Sequence, residues 1–495
     1  MQTEQEVRIM NTEKHIVAID LGTSKMAIIV AKVCGNDVQV VYYKETPSYG
    51  IKYSGVNNIL QASGPLNNLI REAEAALDIK ITQAVIGMPK FPVRLESNSG
   101  KVIDRGEDTE ITAEDIANLK RFAQETYPLD DPAKDAIYGA VAQSFSDGEY
   151  FQIIENDIIG MTSDVLEGHF KIFIGKKKDL KNADALLSKA DIVARKKYFT
   201  AETTAKAVLT DIEMENGVAL IDFGGGSTSV TIYHGNIMRH YASIPFGGRN
   251  ITYDIKSELQ ISERLAENIK LAFGACLPDK LQSMSEKVLH ISGDNAVQPK
   301  EVSVKYLSEV ITARVEEIIQ AILYEISESG LAEHLRSGIV ITGGCAQMAN
   351  LGMMISQMSG YRVRTGYPLT TFSSQGIDGL MDTSATTVLG LLQAALEEVA
   401  MSCATQAAPK TIVETAADID EENVGDSEEI EEVEEVERKQ ESGKDNDDEY
   451  DDDDDDTPAK ESAFMQKVRV WWGKAQEKIE KVADKTDEMI GGIAE

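Results

Sequence analysis

No stretch of 18 uncharged apolar residues occurs in the 495-residue chain, so the sequence offers no helix to span a bilayer. Cysteine is scarce: the four residues, at 34, 276, 345 and 403, lack the spacing of a metal site or a disulfide framework. They read as reduced thiols, which goes with a cytoplasmic location. The first residues are polar (Glu4, Glu6, Glu13) and have no apolar stretch of the kind a secretory leader needs. Basic residues are outnumbered, 49 Lys and Arg against 83 Asp and Glu, and the net charge of −34 argues against general nucleic-acid binding. The familiar phosphate signatures are missing too. There is no G-x-x-x-x-G-K-[ST], and Gly224-Gly225-Gly226 does not fit the dinucleotide fingerprint.

What the chain does have is one phrase written twice. Near the start it reads Ile16-Val17-Ala18-Ile19-Asp20-Leu21-Gly22-Thr23-Ser24, followed by Lys25; later it reads Val218-Ala219-Leu220-Ile221-Asp222-Phe223-Gly224-Gly225-Gly226-Ser227-Thr228. Each copy is a buried apolar strand, a lone aspartate, a glycine turn carrying hydroxyls, and a second strand (Met26 to Val30; Val230 to Tyr233). Glycines let the backbone approach a phosphate and aim successive N–H groups at it. Thr23, Ser24, Ser227 and Thr228 add hydroxyl donors. Asp20 and Asp222 cannot face phosphate bare; they make sense if Mg²⁺ lies between, held directly or through retained waters. One such hairpin alone is more often a plain β-turn, but two with matching downstream turns (Gly35-Asn36-Asp37 and His234-Gly235-Asn236) point to a phosphate chain gripped from both sides.

These residues resemble the actin, sugar-kinase and heat-shock-chaperone superfamily. The resemblance implies an α/β fold of two duplicated domains, each a mixed sheet flanked by helices, with ATP and its Mg²⁺ in the cleft between them and Asp20 and Asp222 holding the metal's water shell. It also implies a third element against the adenosine, a strand and Gly-Gly turn leading into a helix. Gly338-Ile339-Val340-Ile341-Thr342-Gly343-Gly344, followed by Cys345 to Leu351, fits that description.

Elsewhere, residues 1–13 read as a lead-in, and amphipathic patterns predict helices at 66–77, 180–192, 304–326 and 384–399. Residues 83–178 read as a small α+β insert, with strands near 84–87, 92–97, 151–155 and 169–174 and a helix opened by a Thr112/Asp115 capping box. Residues 414–456 hold 24 acidic against three basic side chains, a net of −21, so they cannot form a core and should stay extended. A neutral spacer of ~50 residues already averages about 40 Å end to end. The composition then changes abruptly. Phe464, Val468 and Trp471 fall on one helical face, with Trp472 beside them and Lys467 and Lys474 elsewhere around the wheel. An apolar face with tryptophan and a basic remainder suits an anionic membrane surface; the plainer reading is a helix that packs on the body or a partner. Each such side chain buries about 1.5–3 kcal/mol before immobilisation costs, so one copy binds weakly and many copies on a filament bind strongly.

Together these parts resemble the FtsA family, actin homologues of bacterial cell division. The most specific stretches are Ile244-Pro245-Phe246-Gly247-Gly248-Arg249-Asn250-Ile251-Thr252, Ala266-Glu267-Asn268-Ile269-Lys270 and Arg362-Val363-Arg364-Thr365-Gly366-Tyr367-Pro368. The resemblance divides the chain into subdomain 1A (14–82 and 179–198), insert 1C (83–178), 2A (199–250 and 331–400), 2B (251–330), an acidic linker (401–461) and a membrane-targeting helix (462–484). It implies ATP binding, filament formation on the cytoplasmic face of the membrane at the division site, and tethering of FtsZ, whose C-terminal peptide 2B receives. By the same resemblance the insert would contact neighbouring subunits or later division proteins, and Glu267 and Lys270 would flank the adenosine. The catalytic base is unassigned: Glu202, near the linker helix, is one residue out of register. Hydrolysis is expected to be slow and to serve as a switch. A small-molecule kinase or a pilus-assembly homologue of the same fold is the alternative; a chaperone lacks its β-rich substrate domain here.

Overall fold

The computed structural model describes residues 13–35, 37–102, 109–291, 300–369, 372–374, 376–398 and 402–406. Three consecutive apolar-rich strands, β1 (Lys14–Leu21), β2 (Lys25–Cys34) and β3 (Asp37–Pro47), form an antiparallel meander. Helix α1 (Ile59–Leu77), capped by the Asn58 side chain, buries Leu66, Leu69 and Ile70 against the sheet. The chain then crosses to β4 (Gln83–Met88), which runs parallel to β1, and later to β8 (Val193–Phe199), parallel to β4.

The second half repeats the plan. Strands β9 (Val218–Phe223), β10 (Thr228–His234) and β11 (Ile237–Ile244) form a meander, and β12 (Ile339–Thr342) and β13 (Val363–Thr365) add in parallel beside β9. Ranked by chain order within its half, each sheet reads 3-2-1-4-5, with an extra short strand, β14 (Ser373–Ser374), on the edge of the first. Gly235 and Asn236 both adopt positive φ (63° and 59°), the two-residue turn that matches strand twist. In β9 every residue is buried, because it is the central strand, paired on both edges, antiparallel to β10 and parallel to β12, with its two faces covered.

Between β4 and β8 lies the insert: β5 (Arg94–Val102), β6 (Asp135–Ser146) and β7 (Leu166–Lys176) form an antiparallel sheet ordered β5-β7-β6, with α2 (Ala113–Thr126) on one face. The Thr112/Asp115 capping box is present. The strand expected at 151–155 is absent. Ile153 makes one bridge to Phe145, and Glu155–Ile158 turns into a short helix that buries Ile158 in the insert core. The apolar alternation there seats side chains on the sheet without extending it. The long β6, rich in alanine and polar residues, escaped notice because its apolar signal is weak.

Helix α3 (Lys177–Ser188) returns the chain to the first half, and α4 (Thr200–Val208) carries it across to the second. In the second half, α5 (Gly248–Leu259), α6 (Glu263–Phe273) and the 25-residue α7 (Val304–Glu328) pack together, and α8 (Leu351–Ser359) follows β12. Helix α9 (Thr386–Glu398) crosses back, burying Val388, Leu391 and Leu392 in the core of the first half. A Cβ at Gly390 would lie 2.3 Å from the Thr203 carbonyl oxygen, so the two crossing helices, α4 and α9, meet backbone to backbone. Ala404–Gln406, assigned to the linker on sequence, pairs with Ile79–Ile81 of the first half. The rest of the acidic tract and the tail residues Phe464, Lys467, Val468, Trp471, Trp472 and Lys474 lie outside the described residues. Among the described residues, no helix is long and apolar enough to cross a membrane.

Insert and halves share one aromatic node. Phe173 of β7 stacks on Phe199 at the end of β8, with centroids 4.3 Å apart, and Tyr241 of β11 meets Phe199 edge-on at 4.9 Å. All three are buried. Replacing Phe173 by alanine should cost about 3–5 kcal/mol, read as a lowered urea midpoint; an unchanged midpoint would contradict the role of this node.

Candidate functional site: two aspartate loops that meet

Strands β1 and β9 end alike, each delivering an aspartate to its C-terminal edge, where the glycine turn leaves the sheet. The two turns are in contact. A Cβ at Gly225 would fall 2.0 Å from the Ser24 hydroxyl oxygen, and one at Gly226 would fall 2.6 Å from Thr23 Cγ2. Only glycine admits this approach. Asp222 is buried, and its Oδ1 would sit 2.6 Å from a Cβ on Gly343, so the Gly-Gly turn after β12 closes on the same carboxylate. Gly343 has φ +90° and its N–H donates to the Thr383 carbonyl. The helix expected directly after this turn begins later: Gly344–Gln347 is a 3₁₀ turn, and α8 starts at Leu351.

The electrostatics bind these parts into one site. Burial pushes the Asp20 carboxyl up; the Lys90 and Lys25 ammonium groups pull it down, and the Asp222 and Glu45 carboxylates add to the upward push. Asp20 therefore feels a carboxylate from the other half. Lys90, in the loop after β4, donates from Nζ to Asp222 Oδ2 and lies 3.4 Å from the Thr387 hydroxyl. Sequence reasoning missed Lys90, since Met88-Pro89-Lys90 carries no motif; a lone lysine between a buried strand and a proline was its only signal. Lys25 pairs with Glu45, which also accepts from Tyr43.

Next to this centre lies the polar group on α5 and α6. Lys270 Nζ donates to the Gly248 carbonyl (3.0 Å), the Thr252 hydroxyl (2.8 Å) and Glu267 (2.7 Å). Gly248 and Arg249 donate their N–H groups to the Gly224 and Gly225 carbonyls, so the start of α5 is tied to the second glycine turn. Thr228 donates to the Phe246 carbonyl and Thr23 accepts from the Ser54 N–H; Ser227 accepts, through its carbonyl, from the Gly224 N–H. A Cβ at Gly344 would meet nothing within 4 Å. Thus Asp20, Asp222, Gly343, Glu267 and Lys270 gather around the paired turns. Glu202 stands elsewhere: burial pushes its carboxyl up, and the charged groups acting on it are Lys120 of the insert and Lys206, with Tyr233 nearby. Neither aspartate is among its neighbours.

The residues fit a nucleotide with its metal. The glycine cradle would be filled by any Cβ, and hydroxyls line it. Among the described residues no three His, Cys, Asp or Glu side chains converge as a full protein cage. Two carboxylates suit Mg²⁺, which keeps most of its waters and is held through one or two carboxylates plus phosphate oxygens.

Comparisons with known proteins bear on the family and the fold. The family described as FtsA, cell division protein FtsA, matches residues 219–390, from β9 into α9. The cell division protein FtsA of Borreliella burgdorferi is 30% identical over 359 residues, covering 72% of this chain and 85% of that protein. The chain belongs to the FtsA family. The Neisseria meningitidis FtsA is 29% identical over 389 residues, 77% of this chain and 90% of that one. Among solved structures, the PilM-PilN type IV pilus biogenesis complex aligns with a TM-score of 0.55 at 12% identity, over 77% of this chain and 98% of its own, a likeness of fold alone. The architecture is the actin-like ATPase fold.

Because the two turns touch, Gly226→Ala in this FtsA-family chain should cost about 1–3 kcal/mol of stability, and combined with Thr23→Ala it should cost less than the sum of the two single variants. Strict additivity of the two in urea unfolding would show that the turns do not press on one another.

Proposed function

We propose that this chain is an ATP-binding, actin-like division protein that forms filaments on the cytoplasmic face of the membrane and tethers FtsZ filaments there. The observation that carries the reading is the convergence of Asp20, Asp222 and the three glycine turns on one site shared by both halves. Bound there, Mg²⁺ would neutralise phosphate charge. Asp20 and Asp222 would orient its waters, the backbone of Gly22 to Lys25 and Gly224 to Thr228 would hold phosphates, and Glu267, Lys270, Gly343 and Gly344 would flank the adenosine. A phosphate chain entering between touching turns parts them, so nucleotide uptake and the separation of the halves are one event. Glu202 is set beside Tyr233 and Lys120, away from both aspartates, and the site is read as a switch with slow hydrolysis rather than a kinase with fast turnover.

The FtsZ peptide is assigned to residues 251–330, where a groove of about 420 Å³ opens between α5 and α7. Its rim carries Arg314, held by Asp254 (2.5 and 3.0 Å) and Glu317 (2.6 Å). The insert is assigned to neighbouring subunits or later division proteins, and residues 462–484 to the anionic membrane surface.

Asp222→Ala should weaken Mg·ATP binding about tenfold or more in calorimetry and reduce filament formation with it; filaments of normal yield without bound nucleotide would contradict the switch. Co-sedimentation of the full chain with phosphatidylglycerol-containing vesicles, with and without ATP and the FtsZ C-terminal peptide, tests the tether. Trp471→Glu with Trp472→Glu should release most of the protein to the supernatant, and unchanged pelleting would refute membrane attachment through the tail.

A further inference from the structure

Lys90 belongs to the first half by sequence and to the second by contact. Its ammonium donates to Asp222 at the end of β9, and its carbonyl accepts from the Tyr241 hydroxyl of β11 at 2.6 Å. Side chain and backbone are thus both held by the second half. Lys90 and Asp222 are 9% and 5% exposed, so the pair lies out of bulk water. A buried carboxylate left without a partner is costly, and so is a buried ammonium. Among the described residues, Asp222 forms no second ion pair. Its other oxygen faces Gly343, where no side chain exists, and the other ammonium groups near the site are committed elsewhere, Lys25 to Glu45 and Lys270 to Glu267.

The same carboxylate is the one that would hold the metal, and with Oδ2 taken by the ammonium and Oδ1 turned to Gly343 it has no open oxygen for a hydrated Mg²⁺. With Lys90 present, Asp20, Asp222 and Lys90 together carry a single net negative charge, a weak lure for an ion that gives up its waters reluctantly. Without it the pair carries two. Lysine suits such a post because it is a point charge on a flexible four-carbon stem, able to leave one oxygen for another.

We infer that Lys90 is an internal counter-ion standing in the place of the divalent cation at Asp222, so that Mg²⁺ enters only in company with nucleotide, whose phosphates give the displaced ammonium a new partner. The inference rests on the nucleotide reading above and adds to it a residue that decides what the site accepts. Free Mg²⁺, abundant in any cell, is refused; Mg²⁺ arriving with phosphate is admitted. Because Lys90 lies between β4 and the first strand of the insert, its release is felt at the insert's root.

The test uses thermal unfolding of the full chain, followed by circular dichroism, in chelator and in millimolar Mg²⁺, without nucleotide. The wild type should melt at the same temperature in both. Lys90→Met should melt roughly 5 °C lower in chelator and regain most of that loss on addition of Mg²⁺ alone. Lys90→Met with Asp222→Asn should melt close to the wild type and ignore Mg²⁺. A wild type stabilised by Mg²⁺ alone as strongly as Lys90→Met, or a folded Lys90→Met indifferent to the ion, would overturn the inference. If Lys90→Met folds in neither condition, the double variant decides: folded, it shows that the unpaired carboxylate was the fault and supports the inference; unfolded, it overturns it. A parallel titration with Mg·ATP separates the two readings, since a wild type that takes up no Mg·ATP refutes the nucleotide site itself, whereas uptake by a wild type whose Lys90→Met variant ignores Mg²⁺ refutes only the role of Lys90.

Discussion

Two carboxylates from equivalent strands share one partly dry site, and the cost of holding like charges there shapes everything around it. Asp20 feels Asp222 across the divide between halves, and burial adds to the strain on Asp20. A positive charge has to be close by, whether an ammonium or a metal ion. The fold supplies one in Lys90, delivered by the loop that leaves the first half for the insert. Around this centre the chain brings glycines whose missing side chains let the turns meet, hydroxyls, the N–H groups at the start of α5, and two charged pairs that neutralise themselves, Lys25 with Glu45 and Lys270 with Glu267. The arrangement leaves little that could perform chemistry on its own and much that responds to charge.

The duplicated phrase was legible because it is local. A run of apolar residues ending in aspartate and glycine encodes a buried strand and its turn within about ten positions, and both copies form the expected hairpins. The helix stripes of α1, α3, α7 and α9 were legible for the same reason. What escaped is non-local. Lys90 is given its meaning by a carboxylate 132 positions away, and no window of sequence holds both. Glu202 lay in the right region of the chain, yet a helix turns through 100° per residue, and a one-residue offset is enough to face it toward Tyr233 and Lys120. The apolar pattern at 151–155 fooled the reading in another way, since Ile153 and Ile158 serve the insert core from a bridge and a single helical turn.

The two halves are also joined more tightly than a hinged pair of lobes requires. Helices α4 and α9 cross at Gly390 with no side chain between them, and Cys403 and Ala404 return to the first half beside His15 and Ile81. The chain passes into the second half through α4; on its way back it lays β14 on the edge of the first sheet, sets Thr383 against Gly343 of the second half, and returns through α9.

The stacked rings of Phe173, Phe199 and Tyr241 bear on how such a chain could change over time. An insert looped out between two strands looks like something that can be trimmed or exchanged by cutting at its base. Here the base is where a ring from the insert shields one ring from each half, and Tyr241 is also the residue that grips the Lys90 carbonyl. Cutting the insert away would bare both rings to water and loosen the strap that reaches Asp222. Replacement lobes are therefore constrained to bring an aromatic of their own to that spot: the outer surface of the insert is free to diverge, while its root is not.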